Sequence, residues 1–203
     1  MFGGNMQRRI FCVPLLKSFF ESMSEFNKMQ TVKRRMFAMR NGIIADSLRK
    51  AGSPFRMIFG LNLPQLDEIA ADTGKDEELA LMLFADRNNR ESSLLAPMIM
   101  PEQCMTPELA LEWLAGSQCV ETTDIMCHKL LRKLSFAAAL ASAALEGDSD
   151  MVRYGGIRLL WNLLPSPASE MKELIQKEAD RNCALTHRAA TTLLEEIDFF
   201  SGD

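Results

Sequence analysis

A recurrence of polar helix starts constrains this chain more than any other feature. Asn88-Asn89-Arg90-Glu91, Glu121-Thr122-Thr123-Asp124, Asp148-Ser149-Asp150 and Asp180-Arg181-Asn182 each open a stretch that then turns apolar. Counted from Asn89, Glu121, Asp148 and Asn182, these starts lie 27–34 residues apart. Polar and acidic residues suit such positions because they satisfy the unpaired N–H groups of a first helical turn and complement its positive dipole end. Within the stretches, apolar residues recur at helical spacing, as in Leu109, Trp113 and Leu114, and in Ile125, Cys127, Leu130, Leu131 and Leu134. No run of alternating β-branched residues competes with this pattern.

The expected fold class is therefore all-α. Helices are expected over 26–51, 64–73, 77–87, 89–100, 107–115, 121–133, 136–146, 149–164, 168–179 and 182–198. Pro64, Pro107 and Pro167 stand at first-turn positions, Thr106 and Ser166 precede two of them as caps, and Gly74 stops a helix just before Asp76 caps the next. Two helices per repeating unit point to an α-solenoid, in which stacking buries the apolar face that one hairpin cannot bury by itself. Because the units share little sequence, an irregular helical bundle is the alternative. A length of 203 residues with 47% hydrophobic composition suits one domain, read here as 26–203 behind an N-terminal tail at 1–25.

The net charge of −4 hides an asymmetry. Residues 1–56 carry 11 Lys and Arg against 3 acids, whereas the other 147 residues carry 12 against 24. A basic arm on an acidic body either reaches for an anionic partner or docks on its own body, and the sequence leaves both readings open. The longest uncharged stretch, Leu134 to Leu145, falls short of a membrane span. Five cysteines at 12, 104, 119, 127 and 183 form no Cys-x-x-Cys, and His128 and His187 are the only histidines. Neither a metal site nor a cofactor is expected, and the thiols fit a cytoplasmic protein.

Four segments, taken in order, carry a family likeness. They are Met39-Arg40-Asn41-Gly42-Ile43-Ile44-Ala45-Asp46-Ser47-Leu48-Arg49, then Phe59-Gly60-Leu61-Asn62-Leu63-Pro64-Gln65-Leu66, Glu78-Leu79-Ala80-Leu81, and Asn89-Arg90-Glu91-Ser92-Ser93-Leu94-Leu95-Ala96. Together they resemble the DNA alkylation repair family, the AlkD-like DNA glycosylases built from HEAT-like helical hairpin repeats, as a divergent branch. The resemblance spans about residues 26–200. It implies a curved solenoid tracking duplex DNA and cleaving the glycosidic bond of cationic N3- or N7-alkylated purines. A carboxylate would stabilise the oxocarbenium-like sugar and orient water.

Carried over residue by residue, the resemblance puts Asp124 of Val120-Glu121-Thr122-Thr123-Asp124 at the catalytic position. The family's nearby tryptophan becomes Val120, and its second stacking tryptophan becomes Thr191. A backbone-contacting arginine falls at Arg153-Tyr154. Arg90, Lys129, Arg132, Lys133, Arg153, Arg158 and Arg188 all fall on the second helices of the units, where one concave surface would bring them to phosphates. Pairing with neighbouring acids, as of Arg90 with Asp86 or Glu91, is the other reading. Asp124 likewise reads either as a catalytic carboxylate or as an acid favoured by a helix start. Lys33-Arg34-Arg35 with Arg40, Arg49 and Lys50 tracks phosphates or forms a solvated helix face. A noncatalytic scaffold binding DNA or a protein partner is the competing function.

Overall fold

The structure is a computed structural model that describes residues 28–166 and 168–202. The expected tail at 1–25 and the first-turn Pro167 lie outside the described residues. The chain forms α1 (28–38), α2 (Gly42–Lys50), α3 (Leu63–Thr73), α4 (Glu77–Ala85), α5 (Arg90–Ile99), α6 (Pro107–Gly116), α7 (Val120–Lys129), α8 (Ala137–Glu146), α9 (Asp150–Asn162), α10 (Lys172–Asp180) and α11 (His187–Ser201). Short 3₁₀ turns follow α5 and α7 and precede α10.

The starts of α2 to α6 follow from side-chain caps, whereas those of α7 to α11 carry none. Asn62 and Gln65 form a reciprocal capping box at α3, while Asp76, Asn89 and Thr106 accept from the first-turn N–H groups of α4, α5 and α6. Four expectations change. The helix expected over 121–133 ends at Lys129, leaving Arg132 and Lys133 in a 3₁₀ turn, and the one expected over 168–179 starts at Lys172 behind another such turn. The single helix over 26–51 is broken, because Asn41 accepts from the N–H groups of Ile43 and Ile44 and starts a second helix there. The last helix begins at His187 instead of Asn182, which sits in the preceding turn at φ 51, a conformation that asparagine tolerates better than most residues.

The helices form two layers. The second helices pack successively as α3, α5, α7, α9 and α11, while α4, α8 and α10 pack on α5, α9 and α11. Along the first layer, α8 contacts both α6 and α10, and α6 also leans on α9. Every residue of α5 is buried, which places this helix at the centre. Its Leu95 and Ile99 are fully buried, each contributing about 1.5–3 kcal/mol of hydrophobic stabilisation. Trp113 stacks on Phe84 with ring centroids 4.2 Å apart and is a core residue.

Gly155 and Gly156 set the depth at which α9 nests. A Cβ on Gly155 would lie 2.6 Å from Leu114 Cδ2 of α6, and one on Gly156 would lie 3.0 Å from the Ala141 carbonyl oxygen of α8. The two glycines thus lower helix propensity in exchange for close helix approach. That approach fixes α9 against the layer behind it and holds its other face beside α7.

Candidate nucleic-acid interface

The α7–α9 seam carries the residue expected at the catalytic position. Asp124, in the second turn of α7, presents Oδ1 to two donors on successive turns of α9. The Tyr154 hydroxyl donates at 3.0 Å and Arg158 Nε at 2.8 Å. The four-residue spacing of Tyr154 and Arg158 puts both on one helix face. One turn along α7, the exposed His128 places Nδ1 3.0 Å from Asn162 Oδ1, and Asn162 Nδ2 donates to the Arg158 carbonyl at 2.7 Å. Arg158 also lies over the Trp161 ring at 5.8 Å. The seam is a ladder of polar pairs linking α7 to α9.

Both donors hold Asp124 against α9 while part of its side chain stays exposed. Its side chain is 34% exposed and that of Arg158 is 29% exposed. Burial, followed by the negative charge of Asp124, pushes the Tyr154 hydroxyl well above the usual phenol range, so it stays a proton donor. The fully buried Cys127 is raised for the same two reasons, and its thiol donates to the Gly155 carbonyl. Val120 is 40% exposed with no aromatic character, and Thr191 turns its hydroxyl back onto the His187 carbonyl at 2.8 Å. The flanks of the carboxylate therefore carry no stacking ring at either position aligned with a tryptophan.

Arg90 and Arg153, both expected at phosphates, lie inside the protein. Arg90 donates through Nε to Glu121 at 2.8 Å and through Nη1 to Glu91 at 2.8 Å and the Leu61 carbonyl at 3.1 Å. Burial works against the charged form of Arg90, but Glu121 and Glu91 outweigh it and raise its pKa. Glu91 in turn accepts from the N–H groups of Phe59, Gly60 and Leu61 at 2.9, 3.0 and 3.4 Å. Gly60 adopts φ +80, and a Cβ there would lie 2.2 Å from the Asn41 carbonyl oxygen. The Phe-Gly and Arg-Glu landmarks thus meet in one buried knot.

A second knot surrounds Arg153. It donates to Glu178 Oε1 at 3.1 Å and to the carbonyls of Gly147 and Asp148 at 3.0 and 2.7 Å, and it also pairs with Asp150. Thr186 donates to the same Glu178 oxygen at 2.6 Å. This knot joins α9, α10 and the turn before α11.

Of the other expected contacts, Lys129 pairs with Asp67 at 2.7 Å, while Arg132 and Arg188 are exposed. Lys133 approaches Glu102 at 3.4 Å.

The basic N-terminal region divides between the two readings given to it. Lys28 and Lys33 pair with Asp76 and Asp86 at 2.7 Å, and Arg35 pairs with Glu68 at 2.9 Å and with Asp72, which docks α1 on α3 and α4. Arg34, Arg40, Lys50 and Arg56 stay on the exposed surface. Phe37, 53% exposed among them, was not singled out in the sequence, although within the helix expected over 26–51 its three-residue spacing from Arg40 already pairs the two.

Among the described residues, no group of three or more His, Cys, Asp and Glu side chains is placed to hold a metal ion. No helix among them is long and apolar enough to cross a membrane. No protein-family model matches the chain, and no curated protein matches it either. A solved structure does match, described as a new family of proteins related to the HEAT-like repeat DNA glycosylases with affinity for branched DNA structures. The TM-score is 0.71 at 18% identity, over 81% of this chain and 73% of that one. The stacked hairpins of this chain accordingly form a HEAT-like repeat fold.

Proposed function

We propose that this HEAT-like repeat protein binds DNA as a noncatalytic scaffold, with branched structures as the preferred form. One observation carries the noncatalytic part: Asp124 is ion-paired to Arg158 and hydrogen-bonded by Tyr154. A carboxylate whose Oδ1 already accepts from two donors has that oxygen committed and its charge partly compensated, which weakens it as a stabiliser of sugar cation charge. The similarity to a protein described as having affinity for branched DNA supports the choice of ligand. Exposed Arg132 and Arg188, with Lys129 at the end of α7, serve as phosphate contacts in this reading. Arg90, Arg153 and Tyr154 act indirectly, by fixing the helices on which those contacts stand.

The test pairs a base-release assay on methylated duplex DNA with titrations of duplex and four-way-junction DNA over a range of salt. Expected are no release of 3-methyladenine or 7-methylguanine, tighter binding to the junction, and affinity falling as salt rises. Absence of DNA binding at low salt overturns the proposal. The glycosylase reading, with Asp124 as the catalytic carboxylate, retains one favourable observation, the partial exposure of that side chain. Base release that is lost in Asp124→Asn would establish it in place of the scaffold.

A further inference from the structure

We infer that a cleft at the N-terminal end of the solenoid is a binding site for single-stranded nucleic acid, in which an unstacked base lies against Phe37 and arginines hold the flanking phosphates. The cleft has a volume of about 710 Å³ and is lined by Phe37, Arg40, Arg49, Arg56 and Phe59 among others. Its size falls within the range of sites that enclose a small organic group such as a nucleotide. It lies away from the α7–α9 seam and is formed by the end of α1, α2 and the 56–59 segment.

The cleft combines two kinds of group that single-strand sites require. The first is an accessible ring held in a fixed orientation. Phe37 is 53% exposed and its edge meets Phe59 at 83° with centroids 6.2 Å apart. Arg40 covers one face of Phe37, with its guanidinium carbon 4.0 Å from the ring centroid, and donates to the Phe37 carbonyl at 2.9 Å. The guanidinium plane extends the platform, and stacking is sequence-tolerant because every base has a π-face.

The second is positive charge from three separate elements. Arg40 follows α1, Arg49 is in the last turn of α2, and Arg56 precedes the 57–59 segment. Arg49 is partly neutralised by Asp46 at 2.7 Å and also reaches the Ile58 carbonyl at 3.4 Å. Asp46 is the only acid from residue 28 to residue 56, against eight Lys and Arg. An acidic peptide would also be attracted by this charge, but it would make no use of an exposed ring covered on one face by Arg40. A base between two phosphates uses both.

The inference deepens the nucleic-acid reading proposed above, since a branched structure such as a fork or flap carries a single strand beside its duplex arms. The experiment titrates the full chain with fluorescein-labelled oligothymidylate and with an unlabelled poly-glutamate competitor, for wild type, Phe37→Ala, Phe37→Trp and Arg56→Gln. Both substituted positions are exposed, and circular dichroism with a thermal melt verifies the fold of each variant. Phe37→Ala is expected to weaken oligothymidylate binding at least about fivefold, and Phe37→Trp to restore it. Arg56→Gln is expected to reduce the slope of log affinity against log salt by about 0.7. Poly-glutamate should compete poorly at equal charge. Unchanged binding in folded Phe37→Ala, or displacement by poly-glutamate as effective as by oligothymidylate, overturns the inference. If Phe37→Ala leaves oligothymidylate binding unchanged while wild type still binds junction DNA, this site alone fails; if wild type binds neither nucleic acid, the wider reading fails with it.

Discussion

Arg158 Nε lies 2.8 Å from Asp124 Oδ1, and this contact ties the middle of α9 to α7 at the point where catalysis was expected. Both side chains are about one-third exposed, so solvent screens the pair and its contribution to stability is modest. Asp124→Asn keeps an acceptor for Tyr154 but removes the ion pair. Urea unfolding should show a loss of about 1 kcal/mol or less, and a double-mutant cycle with Arg158→Gln a coupling of roughly 0.2–1 kcal/mol. A coupling of several kcal/mol would mean that the pair is far better shielded than its exposure indicates.

Glu91 should behave differently. It is fully buried and accepts from three backbone N–H groups and Arg90. Glu91→Gln introduces an amide with donors where only donors point and leaves Arg90 with one carboxylate fewer. The expected loss is about 3–5 kcal/mol, the scale for breaking a buried pair. Denaturant titration of the variant checks this, and a loss below about 1 kcal/mol would show that the knot relaxes around the amide.

These two carboxylates show which features were legible in the sequence. The helix starts at Asn89 and Asp76, the stop at Gly74 and the stacking of hairpins follow from short-range capping and helical spacing, so they could be read directly. The destination of Arg90 could not be read so fully. Glu91 was named as a partner, but Glu121 lies 31 residues away and meets Arg90 only because α5 and α7 pack side by side. Asp124 was singled out through the family resemblance, whereas its ion-pair partner depends on the rotation of α9. That rotation is set by contacts at Gly155 and Gly156 with α6 and α8, which no local pattern encodes. The break at Asn41 was missed because the apolar spacing continues through it while the cap overrides it.

Gly155→Ala tests the tight approach of α9. In an open helix this change would be worth about 1 kcal/mol of added stability. Here the new Cβ would meet Leu114 Cδ2 at 2.6 Å, and Leu114 is itself fully buried. Overpacking costs about 1–3 kcal/mol, so the melting temperature should fall. A rise would mean that Leu114 swings aside without loss.

Thiol reactivity reports on the same seam. Cys127 is fully buried and burial raises its pKa, so little thiolate forms and none is accessible in the folded state. With a maleimide probe followed by peptide mass spectrometry, Cys127 should label only at the rate of opening, after the partly exposed Cys104, Cys119 and Cys183. Labelling of Cys127 as fast as Cys119 would show that α7 and α9 separate readily.

Acid should weaken the attachment of α1 through Asp76. Burial raises the pKa of this carboxyl, but the Lys28 ion pair and hydrogen bond and the Leu79 N–H together outweigh burial and hold it below the usual range. A carboxyl depressed on folding adds stability above its unfolded value, about 3.9, and loses it as pH falls through the lower folded value. Asp76→Asn retains an oxygen to cap α4 but has no charge to titrate. The variant should be less stable than wild type at neutral pH, and the gap should close as the pH is lowered below about 4. Urea midpoints measured across that range check the prediction. A gap that stays constant with pH would assign the loss to capping geometry and remove the Lys28 pair from the account.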